Sequence, residues 1–169
     1  MRKVLLSIIA ILLVANIYAA STIFIMNTTS NYTMYYNFDA AHPSNCYPKI
    51  QVTGTNCSYL TILPYGSVFF SNFSDLSSWY SGLEYTLMTT SSANPTMPNA
   101  SQAGVYLSMY GLDWSLIRYK GEDANQNGDG VWIGFPDFSS CHGETDYWSG
   151  SYTTGWAFSL NGDKYFVMS

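Results

Sequence analysis

Asp123, Asn125 and Asn127 stand at alternate positions and are followed by Gly128 and Asp129. Hard cations take oxygen ligands at alternate positions of a tight loop, and a glycine supplies the sharp turn. Asp123, Asn125, Asn127 and Asp129 are therefore read as a candidate calcium (Ca2+) site. A helical calcium loop needs a bidentate Glu at its twelfth position, which counted from Asp123 is Gly134. The site would then be a β-loop site completed by Glu122, Asp137 or backbone carbonyls. Asn127-Gly128 and Asp129-Gly130 equally suit the plain reversal of two strands, and the residue types serve either reading.

Aromatic residues form the second chemical signal. Trp79, Tyr80, Trp114, Trp132, Tyr147, Trp148 and Tyr152 fall partly in loops, where a ring can stack on a sugar while a nearby Asn or Asp binds its hydroxyls. Trp79, Trp132, Tyr147 and Trp148 are taken as ligand-binding residues, with Trp79 and Trp148 the best placed for exposure. Trp114 and Trp156, on strand-like alternation, are expected in the core.

The residues for catalysis are sparse. Only Glu84, Glu122 and Glu144 are available as a glycosidase pair, which needs two carboxylates about 5 to 9 Å apart. Their surroundings do not resemble the catalytic motifs of the small xylanases, and no Gly-x-Ser-x-Gly elbow or His-Glu-x-x-His helix is present. A Cys46, His42, Cys141, His142 zinc set or a Cys141 and His42 nucleophilic pair can be drawn, without motif spacing. Cys46, Cys57 and Cys141 are the only cysteines. Cys46 with Cys57 is the expected disulfide, worth about 2 to 4 kcal/mol, and Cys57 with Cys141 is the second choice. The odd thiol is either buried or free to bridge copies.

Composition bounds the partners. Met1-Arg2-Lys3, an apolar run from Val4 to Ala15 and a small-residue exit at Ala19-Ala20 read as a secretory signal peptide over residues 1–19. The rival is an uncleaved anchor over residues 4–26. Cleavage after Ala19 leaves one domain, residues 20–169, with 4 basic against 11 acidic residues and a net charge of −7. Such a chain has no electrostatic footprint for nucleic acid or anionic lipid. Charged residues make up 10% of the chain and aromatic residues 17%, so the exposed sheet faces are expected to be polar but uncharged. Five Asn-x-Ser/Thr sequons occur, at Asn27, Asn31, Asn56, Asn72 and Asn99.

The elements that would position these residues are short strands. Thr22 to Asn27 is apolar on both faces, which suits a strand inside a sandwich or one donated to a neighbour. Tyr32 to Phe38, Ile50 to Val52, Tyr59 to Leu63, Ser67 to Phe73 and Leu83 to Met88 follow. Asp75 to Gly82 reads as a turn or single helical turn capped by Asp75, and Thr89 to Gln102 as a long mobile loop. No helix-length amphipathic run is evident. Around the acidic loop, Trp114, Leu116 and Arg118 alternate with Ser115, Ile117 and Tyr119, and Val131, Ile133 and Phe135 with Trp132 and Gly134. Asn161-Gly162 predicts a two-residue hairpin setting Trp156 opposite Val167, Phe158 opposite Tyr165 and Leu160 opposite Asp163.

An opening strand ending in Asn27-Thr28, a Tyr-rich second strand, Cys46-Tyr47-Pro48, and Ile62-Leu63-Pro64-Tyr65-Gly66-Ser67 leading to Ser71-Asn72-Phe73 form a further pattern. In these features residues 20–75 resemble small, uncharacterised exported bacterial proteins. The resemblance implies export and a β-sandwich, and no active site. The expected protein is a single secreted or cell-surface antiparallel β-sandwich, jelly-roll or Ig-like, that binds a glycan or surface protein with calcium assistance and without catalysis. One alternative is a structural or filament-forming subunit, a homo-oligomer assembled through its N-terminal strand. The other is a glycoside hydrolase.

Overall fold

The computed structural model describes residues 21–169; the expected signal peptide and its expected cleavage after Ala19 lie outside the described residues. Two sheets pack face to face. The first has the order β5-β1-β11-β10-β9 and is built from β1 (Ile23–Asn27), β5 (Ser67–Phe70), β9 (Tyr147–Ser149), β10 (Thr154–Leu160) and β11 (Asp163–Met168). The second has the order β6-β3-β2-β7-β8, from β2 (Thr33–Ala41), β3 (Lys49–Thr53), β6 (Glu84–Met88), β7 (Asp113–Glu122) and β8 (Gly128–Gly134). The short β4 (Leu60–Ile62) also pairs with β2, beside β3. All pairings are antiparallel except one: β1 runs parallel to β11. The chain is a β-sandwich, antiparallel-rich rather than antiparallel throughout.

Period-two alternation builds the core. Ile23 and Ile25 of β1, Phe166 and Met168 of β11 and Phe70 of β5 face Met34, Tyr36 and Phe38 of β2 and Ile50 and Val52 of β3, and all are buried. Trp114 is the hub, fully buried with its ring edge-on to Phe38, Phe70 and Phe73 at centroid distances of 5.5, 5.1 and 5.6 Å. Its indole N–H donates to the Ser21 carbonyl, which ties the start of the domain to β7.

The alternation expected for β7 holds only from Leu116 onward. Asp39 pairs with Leu116 and Ala40 with Trp114, so Ser115 is an extra residue in a β-bulge. The bulge turns Trp114 onto the same inner face as Ile117 and Tyr119, and leaves Leu116 and Arg118 outside.

One helix is longer and begins earlier than the single helical turn expected, and a second replaces part of an expected loop. α1 (Phe73–Trp79) is capped by Asn72, whose Oδ1 accepts from the Asp75 amide at 2.8 Å. Asp75 is therefore not the cap. It sits one turn in and accepts from the Ser71 amide and hydroxyl. α2 (Ala100–Met109) occupies part of the expected loop and the segment after it, and a capping box between Asn99 and Gln102 starts it. Together they bury Phe73, Leu76, Ala103 and Leu107 and close the side of the sandwich where β5 and β6 are edge strands. On the opposite side β8 and β9 approach each other, with the short α3 (Ser139–His142) leading into β9.

The disulfide is also a correction. Cys46 is bonded to Cys141, with Cα atoms 5.1 Å apart, and Cys57 is free and exposed. The expected Cys46 and Cys57 bridge fails because the five residues of β3 lie extended between them. At 3.3 Å per residue this strand spans roughly 13 Å from end to end, and the two cysteines branch from its opposite ends, beyond the reach of a disulfide.

Candidate functional site

The outer face of the first sheet departs most from what a solvated sheet should show. Register places Phe69 beside Phe24, Phe24 beside Tyr165, and Tyr165 beside Phe158, one ring from each of four neighbouring strands. The centroid separations are 5.9, 4.8 and 5.1 Å, with planes 24°, 7° and 7° apart. Parallel rings at such separations are offset stacks, so each ring turns its faces to its neighbours and its edge to solvent. A second row lies alongside, with Met26, Val167, Trp156 and Tyr147 side by side on β1, β11, β10 and β9. Trp79, from the end of α1, meets Phe69 edge-on at 5.8 Å and borders the first row.

Among the described residues no basic side chain lies on this face. Lys49 and Arg118 are paired with Asp39 on the second sheet, Lys120 is paired with Glu122, and Lys164 points inward to Asp113 and Asp137. Phe69, Trp79, Trp156, Tyr147 and Leu160 are 53, 49, 54, 55 and 53% exposed. A polar, uncharged outer face was expected from the composition. Here it is instead apolar along both rows.

The four aromatic ligand candidates do not form one cluster. Trp79 and Tyr147 lie at opposite ends of the aromatic face. Trp132 lies on the outer face of the second sheet, where the Arg118 guanidinium sits 5.3 Å from its ring. Trp148 turns inward and packs edge-on against Tyr119 at 6.1 Å.

The residues of the acidic loop diverge. Asp123 Oδ1 accepts from the amides of Asn125 and Asn127, both at 2.8 Å, and Oδ2 from the Asn127 side chain at 3.2 Å. These bonds hold its carboxyl below the usual range, the Asn127 side chain being the largest cause. Asp129 turns the other way and accepts from the amides of Tyr152 and Thr153 and from the Thr153 hydroxyl. The loop is thus tied by turn hydrogen bonds, with its two carboxylates pointing to different partners. Among the described residues no group of three or more His, Cys, Asp or Glu is gathered as for a metal.

The three glutamates are separated too. Glu84 accepts from the amides of Asn56 and Cys57 at 2.9 and 3.0 Å, which depresses its pKa, and Glu122 pairs with Lys120. Glu144 follows α3, where its amide donates to His142 Nδ1 at 3.0 Å. Three strand steps along the sheet alone put Glu84 and Glu122 more than about 14 Å apart, outside the range of a glycosidase pair. Cys46 and Cys141 are committed to each other, and His42 Nδ1 accepts from the amides of Ser44 and Asn45.

Of the sequons, Asn27 is buried, with its side chain donating to the carbonyls of Tyr32 and Ile62, while Asn72 and Asn99 are helix caps. Asn31 and Asn56 are exposed.

Fold and face together define an aromatic-faced β-sandwich. In comparisons with known proteins, no family model, no curated protein and no solved structure matches the chain.

Proposed function

We propose that the chain is an exported, non-enzymatic β-sandwich, of the jelly-roll or Ig-like kind expected from its sequence, that binds a partner protein at or beyond the cell surface. The observation carrying this reading is the uncharged aromatic face formed by β5, β1, β11 and β10. Monomeric proteins rarely leave more than a few hundred Å² of contiguous apolar surface open. A protein partner suits the face better than a glycan does. Sugars stack on the faces of rings, and the Phe69, Phe24, Tyr165 and Phe158 rings turn theirs to one another. Ring edges are met well by the apolar side chains and ring faces of another protein surface.

The test is co-sedimentation of the domain, residues 20–169, with the cell-envelope fraction of its source organism. Wild type is compared with a Phe69→Ser, Trp156→Ser variant. Retention of wild type and at least tenfold weaker retention of the variant is expected. Equal retention of the two would remove the aromatic face from the reading.

The strand-donation alternative has one observation in its favour, the apolar side chains on both faces of β1. Against it, β1 is hydrogen-bonded on both edges within its own chain, to β5 and β11.

A further inference from the structure

The aromatic face is compatible with several partners, and we infer that its occupant is a second copy of this chain, the two first sheets packing face to face about a two-fold axis. The inference rests on the reading above and names the partner.

Area is the first argument. An aromatic side chain carries about 150 to 250 Å² of surface, so Phe69, Trp79, Trp156 and Tyr147, each about half exposed, leave roughly 400 Å² open. Leu160 and the half-buried rings and aliphatic groups between them bring the face toward the roughly 800 Å² that each partner of a standard interface contributes. A face of this size exceeds what one small ligand covers.

Charge is the second argument. The domain carries a net charge of −7 beyond residue 19. Two like-charged copies avoid juxtaposing carboxylates only on a surface with few charges, and the two aromatic rows are such a surface, with Asp163 at the margin beside Leu160. An oppositely charged partner would find nothing on this face to pair with.

Symmetry is the third. The face carries a tryptophan at each end, Trp79 beside Phe69 and Trp156 beside Phe158. A two-fold axis lying in the plane between the two sheets, parallel to the strands and above the gap between Phe24 and Tyr165, lays the Trp79 end of one copy over the Trp156 end of the other. Each indole then meets ring edges, the arrangement that aromatic pairs favour. Stacked sheets pack about 10 Å apart, so the product is a four-layer body with the aromatic rows as its central seam.

The test is sedimentation equilibrium of residues 20–169 from 1 to 500 µM, in a Cys57→Ser background because the exposed thiol could otherwise link copies covalently. Among the described residues the buried core runs from Ile23 to Met168, all within this span. A dimer mass is expected in the micromolar range. Phe69→Glu with Trp156→Glu is expected to raise the dissociation constant at least 100-fold, and Met109→Glu, on α2 away from the face, to leave it unchanged. Should the double variant lose its cooperative melt, Leu160→Lys at the margin of the face is read instead, with at least a tenfold loss expected.

A wild-type domain that stays monomeric throughout overturns the inference. So does a dimer that survives the changes on this face. A monomer whose envelope retention still depends on Phe69 and Trp156 would sink the self-association and leave the binding reading standing. A monomer with no such dependence would sink both.

Discussion

Phe24 and Tyr165 sit directly across the parallel pair of β1 and β11, ring centroids 4.8 Å apart and planes within 7°. The pair joins the first strand to the last, and the row of rings depends on β1 being in place. Deleting residues 20–27 removes Ile23 and Ile25 from the core as well as Phe24 from the row, and leaves β5 without a strand neighbour. Loss of the cooperative thermal transition is expected, as read by circular dichroism. A folded, monomeric product would instead support the view that β1 serves a neighbour.

The disulfide closes a loop of 95 residues between the segment before β3 and α3. Cross-links over loops of this length typically contribute 2 to 5 kcal/mol. Cys46→Ser with Cys141→Ser should therefore lower the urea unfolding free energy by about 2 to 5 kcal/mol, while Cys57→Ser should change it by less than about 0.5 kcal/mol, as surface substitutions do.

Lys164 is buried, with Asp113 Oδ2 at 3.5 Å and Asp137 closer still. The hydrogen bond from Lys164 depresses the Asp137 pKa, with burial opposing it. A carboxyl depressed on folding contributes stability above its unfolded value, about 3.9, and loses it as pH falls through the lower folded value. The urea midpoint should therefore fall between pH 5 and the acid limit. Asp137→Asn should flatten that fall. Because Asp137 is half exposed and Asp113 remains, its cost at pH 7 should be near 1 kcal/mol.

Asp123 organises its loop through the amides of Asn125 and Asn127. Asp123→Ala is expected to lower the melting temperature equally in EDTA and in millimolar calcium. A calcium ligand would give a different result: wild type would melt several degrees higher in calcium, and the variant would lose that increment.

Gly134 lies under the His142 ring, which would collide with any added Cβ. Gly134→Ala should destabilise by about 1 to 3 kcal/mol, the usual cost of overpacking, and much of that should vanish when His142→Ala is combined with it. Equal costs with and without His142 would show that the backbone, rather than the ring, sets the requirement.

Local chemistry was legible in the sequence wherever a rule acts over a few residues. Asn161 and Gly162 both have positive φ, and the register of Trp156, Phe158 and Leu160 with Val167, Tyr165 and Asp163 is the one a two-residue turn imposes. The two-sheet plan followed from the spacing of short alternating strands. α2 was legible but unread: Asn99 followed by Gln102 is a capping box, masked by the prolines before it and by Gly104 and Val105 within it. The bulge at Ser115 was not legible, since one inserted residue reverses alternation without leaving a mark in the residue types.

The candidate site was half visible. The pairing of Phe158 with Tyr165 emerged from the hairpin, but Phe24 and Phe69 join them only through the pairing of β1 with β11 and β5, which no local pattern dictates. The apolar residues on both sides of β1 suggested burial on both sides. One side faces the core, and the other is the open row.

The parallel course of β1 and β11 has a mechanical consequence. The chain enters the first sheet at Ile23, beside Lys164, and leaves it at Met168, beside Asn27, so the two ends point away from opposite poles of the same strand pair. Tension applied between Ser21 and Ser169 slides β1 along β11 and loads their shared rungs together, whereas peeling a hairpin from its open end breaks rungs one at a time. Forced unfolding follows the barrier along the pulled coordinate rather than the equilibrium stability. Pulled at Ser21 and Ser169, the β1 and β11 pair is loaded in shear.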